Sequence, residues 1–442
     1  MSARTSRGTN TATTTPTTTT TTGPRYVAPV ASLLSPGSTV RAQYPSDLSL
    51  KLVQIVHRHG ERTPIVPGLS HLVDPIYTNC HLGAFLALNS ALSSSKSTRQ
   101  YTKVLHDADL PQHGATPGTC AAGMLTDQGR TTMTTLGRAA RSLYVDTLKF
   151  LPGKLQNPGD VYLRSSDFAR TLESLHSVVE GIDNIYRDFG CERYRRLAKQ
   201  FNALIKHEVG EEMKSWSAKL QDLASDPKHG AVLAFDILGA ALAHGRATDV
   251  VTPAEYETLR DASTRLWFGH MVKYPGIGQL LIGRFVTELH ELMAHHVTGT
   301  APDPAEFSMH VQHMRASGTA KPPRFALYSG HDTTLVPLMA ALGVWDHTWP
   351  PFASHLTLEL FQSKSPASTQ RAEDSHFVRL RHNGTNLRVP ACQEPGAHYP
   401  GDPSLCTYAA FKALVDEVGT TRDQRDRLCV PLPVASTLET GF

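Results

Sequence analysis

The sequence predicts an α/β fold: a three-layer sandwich around a mostly parallel central sheet, with a mainly helical cap built from insertions. Three observations lead there. Short apolar runs bounded by turn residues recur at 48–56, 161–164, 325–329, 356–361 and 377–381, as buried strands should. Helical patterns lie around them at 131–150, 169–187 and 333–342, and strands alternating with helices favour a parallel sheet covered on both faces. Two stretches break the rhythm, because residues 65–123 are loop-rich and residues 188–318 read as mostly helical.

In chain order, residues 1–46 come first. They are of low complexity, with a threonine-rich run at 13–22, four arginines (Arg4, Arg7, Arg25, Arg41) and no acidic residue before Asp47. Such a segment cannot bury enough apolar surface to offset its ordering entropy, so it reads as disordered. Its basic, hydroxyl-rich composition also suits an organelle transit peptide and favours a mitochondrial address over cytoplasmic or secreted alternatives. The α/β core is assigned to 47–187 and 319–434. The insertions at 65–123 and 188–318 are assigned to the helical cap.

The first strand runs directly into Arg58-His59-Gly60-Glu61-Arg62-Thr63-Pro64. In open α/β sheets, ligands collect beyond the carboxyl ends of the strands. Two arginines and a histidine around a tight glycine turn suit an anion there, since a guanidinium holds phosphate through paired hydrogen bonds. The second strand ends in Arg164-Ser165-Ser166-Asp167, with Arg170-Thr171 following. The third ends in Gly330-His331-Asp332-Thr333-Thr334, which opens a helix, and a helix N-terminus favours negative charge. Taken singly, Arg-His-Gly is a chance turn and His-Asp a helix cap. Three such strand ends converging on one sheet edge point to phosphate chemistry.

RHGERTP, LRSSDFART and SGHDTT, with Thr126-Asp127-Gln128-Gly129 between the first two, resemble the histidine acid phosphatase branch of the histidine phosphatase superfamily. The resemblance spans about residues 48–430 and is weakest between about 190 and 320. It implies hydrolysis of a small-molecule phosphate monoester through a phosphohistidine, without metal or cofactor. His59 would be the nucleophile and Asp332 the general acid, with Arg58, Arg62, Arg164 and His331 on the phosphate. The stretch at 343–361 and the tail at 392–406 are similar to a mitochondrial-type member acting on a lysophospholipid phosphate, which makes lysophosphatidic acid a candidate substrate. Neighbouring residues are expected to have structural roles: His57 faces another way, Glu61 is a loop residue, and Arg170 pairs locally with Asp167.

Three rivals carry weight. A phosphoglycerate mutase-like enzyme also begins RHGE, but here Arg62-Thr63-Pro64 follows and an acid stands beside the second histidine. A phytase-like enzyme should have a strongly basic pocket, and the segments at 232–245 and 276–286 are not conspicuously basic. A non-catalytic phosphate-binding protein would ordinarily lack one of His59, Arg164 and Asp332, and all are present.

Other signals are set aside. His290 and His295 are five apart, too far for two metal ligands on one helix face. Gly276, Gly278 and Gly283 do not follow a strand, so they are no dinucleotide fingerprint. Asn383-Gly384-Thr385 is a formal sequon only. None of the six cysteines forms a CxxC pair, and Cys392 with Cys406 can be a disulfide or two reduced thiols. A net charge of +3 over 442 residues gives no reason to expect nucleic acid, and no apolar run approaches the roughly 18 residues of a membrane span. Oligomeric state stays open.

Overall fold

The computed structural model describes residues 33–34, 39–66, 68–80, 120–153, 157–179, 205–226, 230–273, 275–303, 314, 321–366 and 371–429. Its strands are β1 (Leu48–Arg58), β2 (Val161–Ser165), β3 (Phe325–Gly330), β4 (His355–Ser363), β5 (His376–His382), β6 (Thr385–Asn386), β7 (His398–Tyr399) and β8 (Asp402–Thr407). They form one sheet in the order β2-β3-β1-β4-β5-β8-β7, with β6 beside β5. The five apolar runs of the sequence are β1 to β5.

Strands β2, β3 and β1 run parallel. The pairs from β4 outward are antiparallel, so the sheet is mixed and its parallel part is the one whose ends carry the motifs. The reversal comes from the connection before β4. Helix α7 (Asp332–Ala341) leads away from the end of β3, and residues 342–354 then return along the same edge, so that His355 pairs with His57 near the end of β1. That return brings Trp349 and Phe352 to the strand ends.

Further helices include α1 (Asp127–Ala140), α2 (Ala169–Val179), α3 (Ala218–Leu223), α4 (Gly230–Ala243), α5 (Pro253–Lys273), α6 (Pro275–Thr298), α8 (Tyr408–Val418) and α9 (Arg422–Cys429). Alternation along β1 separates two cores, because successive side chains point to opposite faces. Val53 and Ile55 pack with Met133 and Leu136 of α1 and Leu175 of α2. Leu52 and Val56 pack with Val286, Leu289 and Met293 of α6 and Val336 of α7. Three layers result, as the sequence predicts.

A separate apolar cluster joins Val73, Leu220, Leu238, Leu259 and Ala262 from the two insertions. Not all of 188–318 belongs with it. Helix α6 lies along the sheet, because Ile282, Val286, Leu289, Met293 and Val297 recur at helical spacing and form one buried stripe. Helix α5 bridges the clusters, with Leu259 and Ala262 in one and Phe268 and Met271 in the other.

The start of the core also differs from the expected boundary at 47. Leu33 and Gln43 are buried, and Val40–Gln43 is a helical turn. The cause is a buried ionic group under β4 and β5. Arg379 binds Glu359 at 2.7 Å and also donates to the Gln43 carbonyl, while Arg381 donates to the Leu33 carbonyl. Two buried guanidiniums need those acceptors. Residues 1–32, 81–119 and 180–204, with Cys191, lie outside the described residues. Disulfides link Cys80 to Cys120 and Cys392 to Cys406, which resolves the choice left open for the second pair.

Candidate active site

The loop after β1 is held by close backbone packing. A Cβ on Gly60 would lie 2.5 Å from the Gly129 carbonyl oxygen, and one on Gly129 would lie 2.2 Å from that of Glu61. Glycine at both positions therefore lets the first turn of α1 sit against the loop. Thr126 caps α1, accepting from the Gly129 amide at 3.2 Å, and its own amide donates to the Glu61 carbonyl at 3.0 Å. Thr63 is fixed by a donated bond to the Ala121 carbonyl at 2.7 Å, next to the Cys80–Cys120 disulfide.

Arg58, His59, Arg62, His331 and Asp332 line one cavity of about 890 Å³ at the carboxyl ends of the parallel strands. His59 is buried, with Nδ1 2.8 Å from the Gly60 carbonyl oxygen. A carbonyl only accepts, so Nδ1 carries the proton and Nε2 keeps the lone pair. Burial is the main cause that holds this imidazole well below the usual histidine range, and the Arg58, Arg170, His331 and Arg62 charges add to it. His59 is thus a neutral ring among cations.

Asp332 opens α7 and is the hub of the polar end. Its Oδ2 lies 2.8 Å from Arg58 Nη2 and accepts from Trp349 Nε1 at 3.0 Å, while Oδ1 accepts from the Thr333 amide at 2.7 Å. Burial pushes the carboxyl up, but Arg58, Arg62, the Thr333 amide and Trp349 together outweigh it and hold it below the usual range. His331 Nε2 contacts Ser166 Oγ at 2.9 Å, tying the ends of β2 and β3 together. Phe352 underlies the cluster, with the Arg58 guanidinium 4.4 Å and the Arg62 guanidinium 5.5 Å from its ring centre.

Arg164 is the one expected phosphate ligand that does not line this cavity. Strand alternation turns it to the same face as Tyr162, towards α6, where it pairs with Glu288 and lies over the Phe285 ring. Arg170, expected to pair locally with Asp167, lines the cavity, with its guanidinium 4.6 Å from the Phe168 ring centre. One signal could have found it. Arg170 sits in the first turn of α2, where the helix dipole disfavours a cation unless an anion is near.

Asp236 of α4, Trp349 and Phe352 were also missed, because their positions depend on the cap and on the return loop. His57 and Glu61 are outside the lining. His57 Nδ1 meets the Arg58 carbonyl at 3.2 Å, and Glu61 is buried with its Oε1 accepting from Thr132 at 3.1 Å. Helices α4 and α5 bring Leu233, Phe235, Leu266, Phe268 and Met271 to the cavity, together with Glu257, Arg260 and His270. No cluster of metal-ligating side chains and no helix long and apolar enough to cross a membrane occurs among the described residues.

The sequence profile of the histidine phosphatase superfamily (branch 2) matches residues 49–228 and 254–383. The "probable acid phosphatase" of Schizosaccharomyces pombe is 28% identical over 87% of this chain and 95% of its own length. Human lysophosphatidic acid phosphatase type 6 is 26% identical over 78% of this chain and 80% of its own. Among solved structures, the apo phytase of Hafnia alvei superposes with a TM-score of 0.55 at 15% identity, covering 88% of this chain and all of that one. The multiple inositol polyphosphate phosphatase of Bifidobacterium longum gives 0.52 at 14% identity, over 91% and 98%. At that identity the two structures are alike in fold.

Proposed function

The chain belongs to branch 2 of the histidine phosphatase superfamily, and we propose that it hydrolyses phosphate monoesters by covalent transfer to His59 Nε2. The observation that carries this reading is the neutral His59 ring at one cavity with Arg58, Arg62, Arg170, His331 and Asp332. Phosphoryl transfer spreads charge over the equatorial oxygens, so positioned cations supply most of the catalysis without a metal.

In the proposed sequence, the guanidiniums and His331 hold the phosphoryl oxygens while Nε2 attacks phosphorus. The bond to the leaving oxygen breaks, and Asp332 delivers its proton there. Water then attacks the phosphohistidine, Asp332 takes a water proton, and phosphate leaves with His59 neutral again. Substrate entry assists the first step. A bound phosphate competes with Asp332 for Arg58, weakening the pairing that holds the carboxyl low, and so favours its protonated form at mildly acidic pH.

Glu61 faces α1 rather than the cavity, which counts against a mutase-like role for it. The apolar side chains that α4 and α5 bring to the cavity support a monoester with an apolar tail, and the relatives named for lysophosphatidic acid support a lysophospholipid phosphate. The arginine-bearing, acid-poor leader supports a mitochondrial address, testable by the location of a fluorescent fusion.

The test is phosphate release in excess chelator from nitrophenyl phosphate, lysophosphatidic acid, phytate and 3-phosphoglycerate, with His59→Ala as control. Chelator-resistant release abolished in the variant is expected, fastest with the two tailed or aromatic monoesters. No release from any substrate by folded protein would refute the reading.

A further inference from the structure

The proposed mechanism gives no task to Asp236, a carboxylate at the cavity. Asp236 stands on α4, far in sequence from the phosphate loop, yet both its oxygens reach that loop. Oδ1 lies 2.7 Å from Arg62 Nη2, and Oδ2 accepts from the Ile65 amide at 2.9 Å. The packing of α4 keeps it there. A Cβ on Gly239, one turn further along the same face, would lie 2.8 Å from the Tyr256 hydroxyl of α5. Asp236, Phe235 and Gly239 all line the cavity, so α4 brings the carboxylate to it beside apolar side chains.

The charge balance gives this position a consequence. The lining holds four arginines (Arg58, Arg62, Arg170, Arg260) against three carboxylates (Asp236, Glu257, Asp332). One phosphoryl dianion more than cancels that single positive charge. A second anionic group on the same substrate would then face Asp236 across a partly desolvated space, where like charges repel strongly. A neutral or apolar substituent meets no such opposition.

We propose that Asp236 is a specificity-determining residue, which orients Arg62 for a single phosphoryl group and by its charge rejects substrates bearing a second one. The inference rests on the phosphatase reading above. Its test compares kcat/KM for octyl phosphate and myo-inositol hexakisphosphate in the wild type, Asp236→Asn, Asp236→Ser and Asp236→Glu.

Both charge-removing variants should raise the hexakisphosphate-to-octyl ratio about tenfold or more at low salt, with a smaller gain at high salt. Asp236→Glu should keep the ratio near wild type. An unchanged ratio in Asp236→Asn and Asp236→Ser, whether both activities persist or fall together, would overturn the inference and leave Asp236 a structural link alone. A wild type inactive on both compounds and on nitrophenyl phosphate and lysophosphatidic acid would instead overturn the phosphatase reading, and the inference with it.

Discussion

Arginines 164 and 170 sit six positions apart in one motif, and the fold gives them different surroundings. Arg170→Ala removes a cation from the cavity; Arg164→Met removes the partner of Glu288. Losing one preorganised donor to a developing oxyanion costs about 2.7–4 kcal/mol, or about 10²–10³-fold in rate. For Arg164 the loss falls on stability. Breaking a buried pair costs about 3–5 kcal/mol, and the residual exposure of these side chains, 17% and 10%, lowers that to about 2 kcal/mol.

The assay is kcat/KM on nitrophenyl phosphate per folded molecule, alongside thermal unfolding. Arg170→Ala should lose most activity with little change in Tm, and Arg164→Met should lose several degrees in Tm and little activity. The pH profile adds a third readout. Arg170 helps to hold the His59 pKa down, so its removal raises that pKa and moves the acidic limb of kcat/KM to higher pH. An Arg164 variant as inactive as the Arg170 variant at unchanged Tm would refute the assignment.

Three further outcomes follow from the same geometry. Asp332→Asn should slow alkyl phosphates at least about a hundredfold and nitrophenyl phosphate far less, because that leaving group needs little protonation; equal losses would remove its role as the acid. Tyr44→Phe deletes the hydroxyl that donates to Glu359 Oε1 at 2.5 Å and accepts from Arg381 at 3.0 Å, so stability should fall by about 1–3 kcal/mol in a denaturant titration with activity per folded molecule kept. Buried His57 and His355 are held neutral, with pKa lowered to about 4 and about 3. Each is therefore easier to protonate unfolded, at its ordinary 6.5, than folded. Their stability contribution is complete above 6.5 and is lost as pH falls towards 4 and 3, so Tm should drop through that window and drop less steeply in His57→Leu.

The strand ends that line the cavity were legible because they are local. β1, β2 and β3 are short apolar runs, and each empties straight into its motif, so the placing of His59, Arg58, Arg62, His331 and Asp332 at one cavity could be anticipated without knowing the fold. What the sequence hid depends on direction or distance. Arg164 and Arg170 both lie in a plausible motif, and only strand alternation and the start of α2 separate them. Asp236 is invisible until α4 folds over the loop. The extent of the cap is hard to read for a different reason: α6 is helical like the cap, but its buried stripe packs against the sheet. Leu33 and Gln43 look like part of a low-complexity leader because their partners, Arg381 and Arg379, lie more than 300 residues away.

The covalent step at His59 is tested most directly by rapid quench of the enzyme turning over phosphate-labelled nitrophenyl phosphate. A phosphoryl label on the protein, stable to base, lost in acid and absent from His59→Ala, is the predicted result. Full turnover with no labelled protein at any quench time, or the same label persisting in His59→Ala, would contradict it.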